Sequence, residues 1–306
     1  MFEKILVPLD GSELAEVALP YAEELAGRLG SKVTLLYVSE STEDQYRHMH
    51  QFYIQKMVEN TKQGAERNLG KLVAKEIKVD STVLVGHPAE EIVDYADKEK
   101  IGLIVLSTHG RTGIKRWAIG SVAYKVVKAA SQPVAIIRAK GARPDMREKD
   151  ILDKVLVPLD GSKASEAVIP YIEELASKLK IEVTFLRALT PDYLITSETQ
   201  LRELESLRAS ARDYIENMAT QFRQKGIAAK AEYREVMIDP TGAAGEIMKL
   251  ADEIQADVVA MSTRGRSEFE SGPGERVLET LGSVAEKMVH AGNRPLLLVK
   301  PRTVTK

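Results

Sequence analysis

The stretch STHGRTGIKRWAIGS, residues 107–121, sets Gly110, Gly113 and Gly120 among Arg111, Lys115 and Arg116. Glycine lets backbone approach a ligand that a side chain would hold away. Gly120-Ser121 opens an amphipathic segment, where the free amides and dipole of a helix start favour an anion. No acid lies between Gly110 and Gly120. The chemistry that fits is phosphate binding, although glycine-rich strand-to-helix connections without a ligand have similar composition. Two familiar phosphate motifs are absent: there is no GxxxxGK followed by Ser or Thr, and no GxGxxG follows the first apolar run.

The same grammar returns as STRGRSEFESGPGERVLETLGS, residues 262–283. Its ends match, with Ser262, Gly265, Gly282 and Ser283, but its middle is longer: residues 266–281 separate the glycines where 111–119 do so in the first copy. The middle also carries Glu268, Glu270, Glu275 and Glu279 against Arg266 and Arg276, and a turn-forming Ser271-Gly272-Pro273-Gly274. Acids there repel a triphosphate unless they face away or hold a cation. The second copy is therefore expected to bind the same ligand weakly, to bind another, or to serve as structure.

The elements that position these loops are written twice. ILVPLDGSELAEVALPYAEELAGRLGSKVTLL, residues 5–36, matches VLVPLDGSKASEAVIPYIEELASKLKIEVTFL, residues 155–186, at more than half its positions without a gap. A duplicated domain is the direct reading. The division expected is a first domain over 1–140, a linker over 141–152 within the polar stretch around AKGARPDMREKD, and a second domain over 153–306. In each copy short apolar runs alternate with longer amphipathic segments, which predicts an α/β fold: an open five-stranded parallel sheet with helices on both faces, Rossmann-like. The strands expected are KILVPL, KVTLLYV, VDSTVLVG, IGLIVLS and PVAIIR, then KVLVPL, EVTFLRA, AEYREVMI, ADVVAMS and PLLLVK. A helix follows the first strand, with Asp10 and Ser12 or Glu13 able to cap it. Pro20 and Pro170 fall inside this helix and its copy, and a kink is expected in both. Residues 40–77 read as a long, charge-rich helix with a solvated face.

Composition narrows the partners. With 306 residues, a net charge of -2 and no cysteine, the chain excludes disulfides, thiolate chemistry and cysteine metal sites, and it lacks the basic surface that non-specific nucleic-acid binding needs. No run approaches the roughly 20 apolar residues of a membrane helix, and the start does not read as a signal peptide. A cytoplasmic protein is expected.

On these motifs the chain resembles a tandem universal stress protein, with two consecutive family domains of the adenine nucleotide alpha hydrolase-like fold. The family's nucleotide-binding frame is Gly, two residues, Gly, nine residues, then Gly-Ser or Gly-Thr. Ser107, Gly110, Gly120 and Ser121 follow it, with Ser107 standing for the first glycine. VPLDGS, Val38 and VGHPAEEIV at 85–93 are also family-like. The resemblance implies that Pro8, Leu9 and Asp10 lie beside the adenosine of ATP, that Val38 offers backbone contacts to adenine, and that Ser107, Gly110, Arg111, Gly120, Ser121 and Val122 surround ribose and phosphates, with or without Mg2+. Asp10 can equally serve as a helix cap. Ala188 stands where the first copy has Val38.

The function expected is ATP-dependent sensing in the stress response, through an unidentified regulatory protein partner and mainly in the first domain. A slow ATPase or nucleotidyl-transfer enzyme, and a scaffold without nucleotide, are the alternatives; no residues compose a clear catalytic constellation. The resemblance also implies a dimer-like pairing of the two domains through PVAIIR and PLLLVK, with a homodimer as a further step. His48 and His50 read as a surface pair rather than metal ligands, because helical residues two apart do not face each other. His87 and His109 are loop histidines near the proposed site, and Trp117 lies within the loop itself.

Overall fold

The computed structural model describes residues 1–40, 44–68, 77–109, 119–138, 151–191, 197–236, 241–265 and 281–301. The chain forms two compact units. Met1–Ile151 with Pro295–Leu298 make the first, and Leu152–Arg294 with Val299–Lys306 the second.

In the first unit the strands are β1 Lys4–Leu9, β2 Lys32–Ser39, β3 Val79–Val85, β4 Leu103–Ser107 and β5 Val134–Ile137, in the order β3-β2-β1-β4-β5. All four of these pairings are parallel. Within this unit Leu296, Leu297 and Leu298 add an antiparallel partner to Ile136, Ala135 and Val134. The predicted strands are present, with ends moved by a residue or two. Ile5, Leu6 and Val7 are successive and all fully buried, which requires cover on both faces of the sheet. The cover comes from helices α1 Glu13–Glu16, α2 Leu19–Leu29, α3 Asp44–Asn68, α4 Pro88–Lys98 and α5 Ser121–Ala129. Helix α2 packs on α3, and α4 on α5.

The second unit repeats the plan. Strands β6 Lys154–Pro158, β7 Glu182–Leu189, β8 Ala229–Glu235 and β9 Val258–Ser262 lie in the order β9-β6-β7-β8, all parallel. Helices α6 Ile169–Leu179, α7 Glu198–Gln224, α8 Ala243–Glu253 and α9 Ser283–Ala291 complete it, and Leu296–Val299 is the last strand of the chain, β10.

The two prolines do not kink a continuous helix. The segment expected as one helix is broken into α1 and α2, and Pro20 is the second residue of α2. Pro170 holds the same place in α6, after a 3-10 turn at Ser165–Val168. A proline in the first helical turn costs no hydrogen bond, because that amide has no partner within the helix, and its fixed φ suits the helical start. The break reorients the chain just beyond the first strand. Of the charge-rich helix expected over 40–77, Asp44–Asn68 is helical, and 41–43 and 69–76 lie outside the described residues.

One buried carboxylate ties the chain leaving the first unit to that unit's core. Glu24 is 3 % exposed, its Oε1 accepts from Arg28 Nη1 at 2.7 Å, and its Oε2 accepts from the Ile151 amide at 2.6 Å. Replacing it leaves the partly exposed Arg28 guanidinium and the Ile151 amide without these acceptors. Glu24→Ala is expected to cost about 1–3 kcal/mol, read as a lower urea midpoint; an unmoved midpoint would show the contact to be energetically neutral.

Candidate functional site

In each unit the first strand lies between two strands reached by winding in opposite directions, and a crevice opens there beyond the carboxyl ends. In the first unit β1 is flanked by β2 and β4, and in the second β6 is flanked by β7 and β9. The crevice therefore brings together Pro8, Leu9 and Asp10 at the end of β1, Val38 on β2 and Ser107 on β4, with Gly120, Ser121 and Val122 opening α5. Gly110 and Arg111, with Trp117 and most of the quoted loop, lie outside the described residues.

The turn after the first strand is held by a carboxylate. Asp10 Oδ1 accepts from the Ser12 amide at 3.0 Å and from Ser12 Oγ at 2.6 Å, and Ser12 Oγ in turn accepts from the Ala15 amide at 3.2 Å. So Ser12 is the cap of α1 and Asp10 orients the cap. Gly11 sits at φ 85, a left-handed conformation that glycine adopts without strain. The copy is nearly superimposable in its bonds: Asp160 Oδ1 accepts from the Ser162 amide at 2.9 Å and from Ser162 Oγ at 2.6 Å, with Gly161 at φ 83.

Ser107 replaces a glycine of the nucleotide frame, and its hydroxyl turns back onto its own loop. The oxygen accepts from the His109 amide at 3.3 Å, and Ser262 accepts from the Arg264 amide at the same distance. Both serines are buried. Beyond them, the Gly120 amide donates to the Thr108 carbonyl at 2.7 Å, and the Gly282 amide to that of Thr263 at 2.8 Å. These bonds hold the start of α5 and of α9 against the strand end. Neither helix has a side-chain cap; α5 has no acid in its first turn, whereas α9 has Glu286 there, within 3.1 Å of His290 Nε2.

A cavity of about 290 Å³ occupies the crevice of the second unit. Its walls include Asp160, Ala188, Gly265 and Ser283, together with two cations, Arg187 and Arg264. The acids that predicted weak binding here fall in residues 266–280, outside the described residues. The described walls carry two arginines against Asp160, a balance that suits an anion. Gly265 matters to that wall, since a Cβ on it would overlap the Asp160 carboxylate.

Arg187 and Arg264 escaped sequence reasoning. Arg187 occupies the strand position of Tyr37, and Arg264 that of His109. Tyr37 is 2 % exposed and stacks on His50 with ring centroids 4.3 Å apart, so His50 is a packing residue rather than a free surface histidine. Tyr53 Oη donates to Glu16 Oε1 at 2.9 Å, and Tyr214 Oη to Glu166 Oε1 at 2.8 Å. Burial, then these carboxylates, push both phenols well above the ordinary tyrosine value, so both remain donors at neutral pH. A lone arginine within the apolar strand EVTFLRAL was the available signal. His87 is exposed just ahead of α4, and His109 Nδ1 lies 2.9 Å from Thr108 Oγ1.

Comparison with known proteins agrees with this architecture. The chain is 30% identical over 159 residues to universal stress protein MJ0577 of Methanocaldococcus jannaschii, covering 46% of this chain and 98% of that one. It is 31% identical over 146 residues to universal stress protein MJ0531 of the same organism, covering 45% and 83%. The crystal structure of a universal stress protein from Archaeoglobus fulgidus shares the fold with a TM-score of 0.68 at 20% identity, over 98% of this chain and 99% of that one. No described helix is long and apolar enough to cross a membrane. The model of the universal stress protein family matches residues 1–138 and again 152–300, and the chain belongs to that family.

Proposed function

We propose that the protein is an ATP-binding sensor or regulator in the stress response, whose first domain holds ATP, with or without Mg2+, and whose occupancy alters its contacts with a cytoplasmic protein partner. The observation that carries this reading is the start of α5: an uncapped helix with no acid in its first turn, bonded through Gly120 to the strand end beside the Asp10 turn. Such a helix start favours phosphate oxygens. Pro8, Leu9 and Val38 would meet the adenosine, while Ser107, Gly110, Arg111, Gly120, Ser121 and Val122 would meet ribose and phosphates. The same reading divides the halves at a linker over 141–152 and pairs them through PVAIIR and PLLLVK, with homodimerisation as a further step.

Acid release of nucleotide from freshly purified protein, identified by mass spectrometry, is expected to yield about one ATP per chain, as a largely pre-formed site would retain it. Protein that releases no nucleotide and does not respond to millimolar ATP would sink the reading in favour of a scaffold. Gly120→Trp tests the location. A Cβ at Gly120 would already stand 3.1 Å from the Thr108 carbonyl, so an indole must displace the loop or fill the phosphate position. ATP affinity is expected to fall at least about tenfold, or about 1.4 kcal/mol, in a titration calorimeter. Unchanged affinity would move the site elsewhere.

A further inference from the structure

We propose that a second copy of this chain pairs with the outer edge of β3, strand to strand and antiparallel, so that the protein dimerises through the sheet of its first unit. The proposal does not depend on what the crevices bind, and it gives homodimerisation a place other than the PVAIIR and PLLLVK segments.

The argument starts from backbone groups that the sheet leaves over. β3 is the outermost strand of the first unit's order, and β2 is its one strand partner among the described residues. In that parallel ladder the Lys78 carbonyl accepts from the Val33 amide at 2.9 Å, and the Gly86 amide donates to the Ser39 carbonyl at 3.0 Å. Strand backbone alternates sides, so Asp80, Thr82 and Leu84 also turn their amides and carbonyls to β2, while Val79, Ser81, Val83 and Val85 turn theirs outward. Among the described residues no backbone bond reaches the outward groups. Such a row is a template for another strand. At the other end of the order, β5 already has Leu296, Leu297 and Leu298 beside it.

Side chains decide which strand fits. VDSTVLV carries one charge, at Asp80, among the β-branched Val79, Thr82, Val83 and Val85. Asp80 is answered within its own unit: Lys32 Nζ lies 2.6 Å from Oδ2, and Thr34 Oγ1 donates to Oδ1 at 2.7 Å. Turned antiparallel onto itself about Thr82, the strand sets Val79 against Val85, Asp80 against Leu84 and Ser81 against Val83, so no charge meets its like. Every outward residue then faces another outward residue, and Val79 with Val85, like Ser81 with Val83, can exchange both bonds. Val85 is 51 % exposed in the single chain, and this pairing gives it an apolar neighbour.

The second unit has the same edge written against such pairing. β8, AKAEYRE, lies outside β7 as β3 lies outside β2. Turned onto itself about Glu232, it sets Lys230 against Arg234 and Glu232 against Glu232, like charges at the pairs where side chains stand closest. The Val183 amide bonds to the Ala228 carbonyl, so the Ala229 carbonyl turns outward, and Arg223 Nη1 already donates to it at 3.2 Å. Charged edges of this kind deter strand addition. β3 occupies the same place without that protection and with a sequence that matches its own reverse.

The test is sedimentation velocity of the full chain at rising concentration, up to about 100 μM, where a weak homodimer is populated. The wild type is expected to pass from monomer to dimer. Thr82→Lys and Thr82→Glu each set like charges opposite one another at the two-fold centre, and each should raise the dimer dissociation constant about fivefold or more. An equal mixture of the two should dimerise at least as well as the wild type, which misfolded variants would not do. Val83→Pro removes an outward amide without touching a bond to β2 and should also prevent dimerisation; the charge variants serve if it fails to fold, as judged by circular dichroism. Wild-type protein that stays monomeric throughout would overturn the proposal and leave the edge to an extended segment of another protein. A dimer indifferent to both Thr82 variants would place the interface elsewhere, and variants that dimerise no better mixed than alone would overturn the pairing about Thr82.

Discussion

The two hydrogen bonds that Asp10 Oδ1 accepts from Ser12, repeated by Asp160 and Ser162, are the constraint on which each unit's crevice depends. A parallel strand buried on both faces must pass its chain to a helix within a few residues, and it must do so where its two neighbours wind apart. Asp, Gly and Ser answer three demands in order: an acceptor that orients the cap, a left-handed backbone, and the cap itself. The short α1, or the 3-10 turn of the copy, then gives way to a second helix that begins with proline at its second position. That break lets the main helix lie on the sheet while the turn stays at the strand end.

Against this shared frame, the copies differ in side chains at the strand ends rather than in the bonds that hold the fold. The Asp-Gly-Ser turn, the serine that accepts from its own loop, and the glycine amide bonded to the strand end are common to both. Tyr37 and His109 have become Arg187 and Arg264. The first unit fills its strand-end position with aromatic packing against His50 and Tyr53. The second places a buried positive charge there, facing a cavity. Duplication preserves these backbone and turn bonds in both units and leaves the inward side chains to diverge.

The sequence by itself determined the duplication, the α/β class and the strand set, because each depends on local pattern: apolar runs and helical periodicity are readable one segment at a time. VPLDGS pointed to a strand end and a cap in both copies, and the cap is Ser12 with Asp10 behind it. Tertiary structure decided what no local pattern states. Pro20 looked like an interior helix residue because the apolar period runs through it, yet the chain breaks there to fit the sheet. Ser107 stands for a glycine of the family's frame, and only the structure shows its hydroxyl oxygen accepting from the His109 amide. The acidic spacer dominated the charge reading of the second copy, while Arg187 and Arg264, 77 positions apart in the chain, line one cavity because β7 and β9 flank β6. The charge of a site is the sum over side chains that share a cavity, and sequence order does not reveal which ones do.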